Sequence, residues 1–337
     1  MSKTLLASVL AALLLAGCGS SSIPSTASSS GSSSNTGTNT GTTSVPGTTA
    51  TGGLAANYKT TVWEDNFAND APGAPSSTYW AAEVGNGAGA PYNNPGWGNN
   101  EAEYYLASNA QVVGGYLDLH GQADSTVSGN TCSGAPCAYS SAKLTSVQTV
   151  DLSKPGFLEV KASLPTVSGA WPAIWLLPGT TPAGNPNATQ PVWPIGGEID
   201  MAEWLGKYFS GQDSLVQSTL HLPSPATGGY ADNYEYQKIT LSSPLSGNFH
   251  LYQLAWTPGQ IEFAVDNQTV MTCTESSMSC TTIAGGSYPA NAIWPYGTTY
   301  TQYYLILNLA IGGNLGGTPA ANFNQTMQVA YVRYMTP

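Results

Sequence analysis

Three carboxylates crowd the stretch Pro194-Ile195-Gly196-Gly197-Glu198-Ile199-Asp200-Met201-Ala202-Glu203-Trp204. Charged residues make up only 8 % of the chain, against roughly 25 % in an average soluble domain, so such a cluster calls for a reason. Carboxyl groups this close repel one another and do not lose their protons independently. That helps a pair that must trade a proton and burdens a strand that is merely structural. In a strand Glu198 and Asp200 share a face, because side chains alternate. Glu203 lies at an odd offset from Glu198 and would point away, unless a β-bulge inserts one residue and turns it back. The two glutamates then stand about four strand steps apart, roughly 13 Å between α-carbons. Side chains leaning together would bring their carboxyls to about 5–5.5 Å, the separation that suits double-displacement cleavage of a glycosidic bond. A solvated acidic strand face would not explain the apolar neighbours or the flanking Trp193 and Trp204. A calcium loop of the EF-hand type would need a glycine and a twelfth-position glutamate that are missing.

The elements that must carry these residues read as strands. Phe157 to Leu164, Ile261 to Val265 and Val329 to Tyr334 alternate apolar and polar residues, and Tyr303 to Leu309 is a nearly continuous apolar run, as for a strand buried on both faces. Clusters of Gly, Pro, Asn and Ser separate them, and no segment predicts a helix longer than about two turns. Many short strands punctuated by turns predict a single all-β sandwich over residues 58–337. The sequence shows no internal repeat.

The N-terminal residues read differently. Lys3 and the apolar run Leu5 to Ala16 form an export signal, too short for a membrane span of about 20 residues. The run ends in Leu15-Ala16-Gly17-Cys18, which resembles a bacterial lipobox. That resemblance implies cleavage after residue 17, a lipid on Cys18 and attachment to a bacterial, outer-membrane surface, with no other contact to the membrane. Residues 18–57 are rich in Ser, Thr and Gly without apolar periodicity. They read as a tether with a reach of roughly 35 Å. The other cysteines fall in two close pairs, Cys132 with Cys137 and Cys273 with Cys280. In an oxidising compartment these are expected as two local disulfides. The formal net charge of −11 leaves no basic stripe for a phosphate backbone, which excludes a nucleic-acid partner.

Glu198-Ile199-Asp200-Met201-Ala202-Glu203 resembles the E-x-D-x-x-E signature of glycoside hydrolase family 16 in its bulged, laminarinase-like form. Further blocks match in order: Trp63 to Phe67, Gly96 to Tyr105, Asn109 to Leu117, Tyr139 to Thr145, Gly169 to Trp175, Phe249 to Thr257 and Leu305 to Gly313. The resemblance implies a concanavalin A-like β-jelly roll of two curved antiparallel sheets with an open concave cleft. It implies a monomeric, endo-acting, retaining hydrolase of a polysaccharide, β-1,3- or mixed β-1,3/1,4-glucan. Alternatives within reach are a hydrolase or transglycosylase of another polysaccharide, such as a galactan, and a non-catalytic glucan-binding protein, although binding relatives typically lose the carboxylates. Carried over by position, Glu198 is the nucleophile, Asp200 tunes its neighbours and Glu203 is the acid/base. Asn109, Trp171, Trp175 and Trp193 match positions lining the cleft, as do His221 and Asn308 less closely.

Two positions depart from that pattern. Lys143 stands where the family usually has arginine, keeping the charge and losing the planar fork. Ala330 stands where the last strand usually gives an aspartate to a calcium ion, so no metal and no cofactor are expected. Trp63 and Trp256 are expected in the core.

Overall fold

The computed structural model describes residues 53–89, 93–179, 193–282 and 287–337. The export signal, Cys18 and the tether as far as residue 52 lie outside the described residues. The first strands are β1 (Thr60–Asn66), β2 (Trp80–Ala82), β3 (Glu103–Tyr105), β4 (Ala110–Val113) and β5 (Tyr116–Ala123). A small hairpin, β6 (Thr131–Cys132) and β7 (Ala135–Pro136), precedes β8 (Tyr139–Ser141), β9 (Lys143–Asp151), β10 (Gly156–Ser163) and β11 (Ala170–Pro178). Then come β12 (Glu198–Glu203), β13 (Leu215–Ala226), β14 (Gly229–Thr240), β15 (His250–Thr257) and β16 (Gln260–Val265). The chain closes with β17 (Gln268–Thr274), β18 (Ser279–Cys280), β19 (Gln302–Ile311) and β20 (Asn324–Thr336). The α-helices among the described residues are single turns, Gly206–Phe209 and Gly313–Gly316, and no helix there is long and apolar enough to cross a membrane.

The strands form the expected two-sheet jelly roll. One sheet runs β14-β13-β12-β11-β19-β9-β2, antiparallel throughout. The other runs β18-β17-β16-β15-β10-β20-β5-β8-β3, with β1 and β4 added beside β20 and β5. Between them lies one continuous core that includes Leu158, Val160, Ile199, Met201, Leu220, Leu307, Leu309 and Val332. Trp63 and Trp256 are buried in it. Both expected disulfides are present, Cys132–Cys137 and Cys273–Cys280.

One boundary needs correction. The tether was expected to run to Asn57, but Gly53–Asn57 form a 3-10 turn. Ala55 of this turn is buried against Phe157, Ala255 and Met335, so the folded unit begins before Tyr58. Within the alternating stretch Phe157 to Leu164, Glu159 is fully buried. Its carboxylate pairs with Arg333 and accepts from Gln253 Nε2 (2.7 Å) and Tyr331 Oη (2.8 Å), which a hydropathy pattern does not register.

The approach to β12 is fixed by tyrosines. Tyr303 Oη donates to Gly196 O (2.7 Å). Tyr296 Oη accepts from Glu198 N (3.1 Å), and its one proton faces the carbonyls of Glu198 (2.9 Å) and His221. Gly197 sits beside that hydroxyl at φ +71°, and a Cβ there would overlap the Tyr296 phenol. Gly197→Ala is therefore expected to lower stability by about 2–4 kcal/mol, combining left-handed strain with overpacking. Gly228→Ala serves as the control: φ is +87° but the space around it is open, so only the strain of roughly 1–2 kcal/mol remains. Urea midpoints compare the two, and equal losses would show that the Tyr296 contact contributes nothing.

Candidate active site

β12 contains the bulge that the carboxylate spacing requires. Asp200 pairs with Trp175 on β11 and Thr219 on β13, whereas Glu203 pairs with Ala173 and Gln217. Three steps along β12 thus match two on each neighbour. Glu198 pairs with His221. The extra residue returns Glu203 to the face of Glu198 and Asp200, and Ile199 and Met201 point into the core.

Each carboxyl has its own polar partner. Trp193 Nε1 donates to Glu198 Oε2 (2.9 Å), and Trp171 Nε1 donates to Glu203 Oε1 (2.9 Å). His221 Nε2 lies 3.1 Å from Asp200 Oδ2 and 3.8 Å from Glu198 Oε1. Its other nitrogen, Nδ1, is held by both oxygens of Asp232, at 3.0 and 3.1 Å. Asp200 and Glu203 are buried, and Glu198 is partly exposed.

Burial controls the protonation of this group. It pushes Glu203 up to about 7, the indole of Trp171 pulling down and the charge of Glu198 pushing further up. Burial and the Asp200 charge raise Glu198, and burial and the Glu203 charge raise Asp200. Burial alone would lower His221, but hydrogen bonds to Asp200 and Asp232 outweigh it and hold the imidazole well above its ordinary value. The site is therefore an imidazolium set among four acidic side chains, and it retains a carboxyl proton near neutral pH. An acid beside a base is what proton transfer to a leaving oxygen demands.

Glu198, Asp200 and His221 present donor atoms within 4.8 Å of one another. Both ring nitrogens of His221 are already engaged, Nε2 by Asp200 and Nδ1 by Asp232. On the last strand, Ala330 of β20 has a methyl where the family resemblance places an aspartate, so one carboxylate ligand for a calcium ion is missing there.

Of the residues matched to the cleft, Trp171, Trp193 and His221 touch the carboxylates directly. Trp175 Nε1 donates to Asn308 Oδ1 (2.7 Å), and Asn308 Nδ2 donates to Tyr105 Oη (3.1 Å). Asn308 thus anchors Trp175. The Asn109 amide donates to His120 O and Ser140 Oγ, both at 3.0 Å. Lys143 is buried, 2.9 Å from Glu83 and 3.9 Å from the Trp97 ring centroid, where it braces the wall behind Trp175. Asp232 was not foreseen. The turn Ala226-Thr227-Gly228-Gly229 fixes the β13–β14 register, and counting back from it would have placed Asp232 near His221.

A family model for glycosyl hydrolases family 16 matches residues 118–303, a span that contains the whole carboxylate cluster. The chain belongs to glycosyl hydrolase family 16. Among relatives of this family, it is 29 % identical over 279 residues to glucan endo-1,3-beta-glucosidase A1 of Niallia circulans, covering 81 % of this chain and 37 % of that protein. It is 28 % identical over 282 residues to a beta-glucanase of Rhodothermus marinus, covering 81 % and 83 %. The crystal structure of an endo-beta-1,3-glucanase from Pyrococcus furiosus superposes with a TM-score of 0.63 at 29 % identity, covering 82 % of this chain and 94 % of that one.

The protonation of this family 16 site sets a pH signature. Glu203 keeps its proton in the folded state up to about pH 7, and the unfolded chain loses it near 4.3. Its contribution therefore lowers stability as pH rises through that window, and the penalty is complete above pH 7 or so. Glu203→Gln is expected to match the parent near pH 4 and to exceed it by on the order of 3 kcal/mol near pH 8. Thermal unfolding at both pH values tests this. Equal stability near pH 8 would mean that burial does not hold the proton.

Proposed function

We propose that the domain is an endo-acting, retaining hydrolase of β-1,3- or mixed β-1,3/1,4-glucans. The observation that carries this reading is the bulge in β12, which sets Glu198 and Glu203 on one face either side of Asp200. The relatives named for β-glucan cleavage support the substrate class. In the first step a Glu198 oxygen bonds to the anomeric carbon as the glycosidic C–O bond breaks. Glu203 gives its proton to the departing oxygen. In the second step Glu203 takes a proton from water, the water oxygen bonds to the anomeric carbon, and the Glu198 ester breaks with net retention. His221 and the Trp193 indole, both beside Glu198, pull its carboxyl back toward the ionised form that attack requires, against burial and the Asp200 charge, which raise it to about 8. Asp200 carries charge or proton between the two glutamates as each changes state.

Laminarin should lose chain length faster than it releases glucose. Cleavage of agarose or xyloglucan with none of laminarin would assign the site to another polysaccharide. Division of labour is read with azide. From an activated β-glycoside, Glu198→Ala should give the α-glycosyl azide, because azide fills the space of the lost nucleophile. Glu203→Ala should give the β-glycosyl azide, because azide attacks the trapped ester from the other face. NMR of the products reads the configuration, and the opposite pattern would reverse the two roles.

We also propose that the hydrolase is exported and lipid-anchored through Cys18, with the Ser/Thr/Gly-rich segment as its tether. The motif Leu15-Ala16-Gly17-Cys18 supports this. The full chain should partition into detergent and Cys18→Ala should not; equal partitioning would refute the anchor.

A further inference from the structure

β14 is the edge strand of the sheet that carries the carboxylates, and its register with β13 gives one of its faces to the site. Tyr234 pairs with His221, Tyr236 with Thr219 and Lys238 with Gln217. Directly paired residues in an antiparallel ladder share a face, so both tyrosines stand on the side of His221. They are 56 % and 44 % exposed, a conspicuous apolar outlay on an edge that proteins usually blunt.

The tyrosines continue the site. Trp193, itself 50 % exposed, bonds Glu198 and lies 6.2 Å from the His221 ring. His221 lies 5.5 Å from Tyr234, and Tyr234 lies 6.3 Å from Tyr236 at an interplanar angle of 31°. An unbroken aromatic run therefore leads from the carboxylates to the edge of the sheet. Two strand spacings separate β14 from β12, about 10 Å, a distance that a sugar chain lying across the strands crosses in a few rings. The nearest charges are already engaged: Asp232 holds His221, and the Lys238 ammonium lies over the rings of Phe209 and Tyr236, 5.0 and 5.3 Å from their centroids. What the edge presents to a ligand is aromatic faces with wet hydroxyl tips, suited to the apolar C–H faces of a neutral pyranose.

We propose that Tyr234 and Tyr236 form a distal sugar-binding platform that holds the same polysaccharide chain beyond the cleavage point. This rests on the glucan reading above. The platform gives affinity for long chains and makes internal attack preferable to attack on short fragments.

The test uses the full chain inactivated by Glu198→Gln, titrated calorimetrically with laminari-oligosaccharides of increasing length. Affinity should climb with each added ring and then level off. Adding Tyr236→Ala should bring the plateau at least one ring earlier and weaken binding of the longest oligosaccharide by about tenfold. The shortest that binds should change by less than about twofold. Tyr236→Phe keeps the ring face and should restore the parent profile. An unchanged length dependence in Tyr236→Ala, and equally in Tyr234→Ala with Tyr236→Ala, would overturn the platform. So would a shift from dimer to monomer in sedimentation on Tyr236→Ala, because the edge would then serve self-association. Failure of every oligosaccharide to bind the Glu198→Gln chain would instead sink the glucan reading, and would show before any tyrosine is changed.

Discussion

The architecture turns on the burial of three carboxyl groups on one face of one short strand. A regular strand would send Glu203 into the core, where an acid without a partner is costly. The bulge avoids this by spending one residue of β12 against two ladders at once. It also creates the electrostatic problem that the neighbouring elements resolve. Four acids, Asp232 included, surround a single histidine. Attraction to that histidine is strong because water is scarce, and mutual repulsion is strong for the same reason. The cluster relieves itself by keeping protons, and a retained proton on one carboxyl beside an ionised one is the starting condition for acid/base chemistry.

The supports of the cluster divide by element. β11 sends Trp171 to Glu203, while the segment before β12 sends Trp193 to Glu198, so each glutamate is oriented by an indole N–H. Tyr296 and Tyr303, from the β19 side, hold the backbone at Gly196, Glu198 and His221. A second chain of contacts passes from Trp175 through Asn308 and Tyr105 to Glu101. There burial raises both Glu101 and Glu103, and Glu103 accepts from the amide of Ile311 at the end of β19. The cleft wall around Trp175 is thus tied to the opposite sheet through polar contacts inside the sandwich. Rotating Trp175 would strand buried acceptors, so the wall is stiff.

Much of this was legible in the chain. Alternation and turn residues reveal the sandwich, and the odd spacing of Glu203 reveals the bulge because two acids must share a face. Close cysteine spacing reveals the staples. What escaped the sequence depends on strands far apart in it. Asn109 and Asn308 look alike as polar residues near strand ends, yet one bonds His120 and Ser140 while the other holds the Trp175 indole. Lys143 carries a charge in a polar chain, and only the fold shows it paired with Glu83 under Trp97. Glu159 has the periodicity of a solvated residue, but the pairing with Arg333 and the hydrogen bonds from Gln253 and Tyr331 make a buried acid tolerable. Periodicity reports which face a side chain takes and leaves open what covers that face.

Scarcity of positive charge links the interior to the ligand. Arg333 is committed to Glu159, Lys143 to Glu83, and His221 to Asp200 and Asp232. These cations neutralise the protein's own acids, and the open face presents indoles, phenols and carboxyls, with the Lys238 ammonium lying over the rings of Phe209 and Tyr236. An anionic polysaccharide entering that face would meet the field of Glu198, Asp200, Glu203 and Asp232, which His221 and the retained protons offset only in part, and low dielectric would enlarge the penalty. A neutral glycan meets no such barrier: its hydroxyls suit carboxylates and phenols, and its C–H faces suit the rings. The same acids that disfavour an anion attract the positive charge that develops at an anomeric carbon as its bond breaks, so exclusion and catalysis share one electrostatic origin.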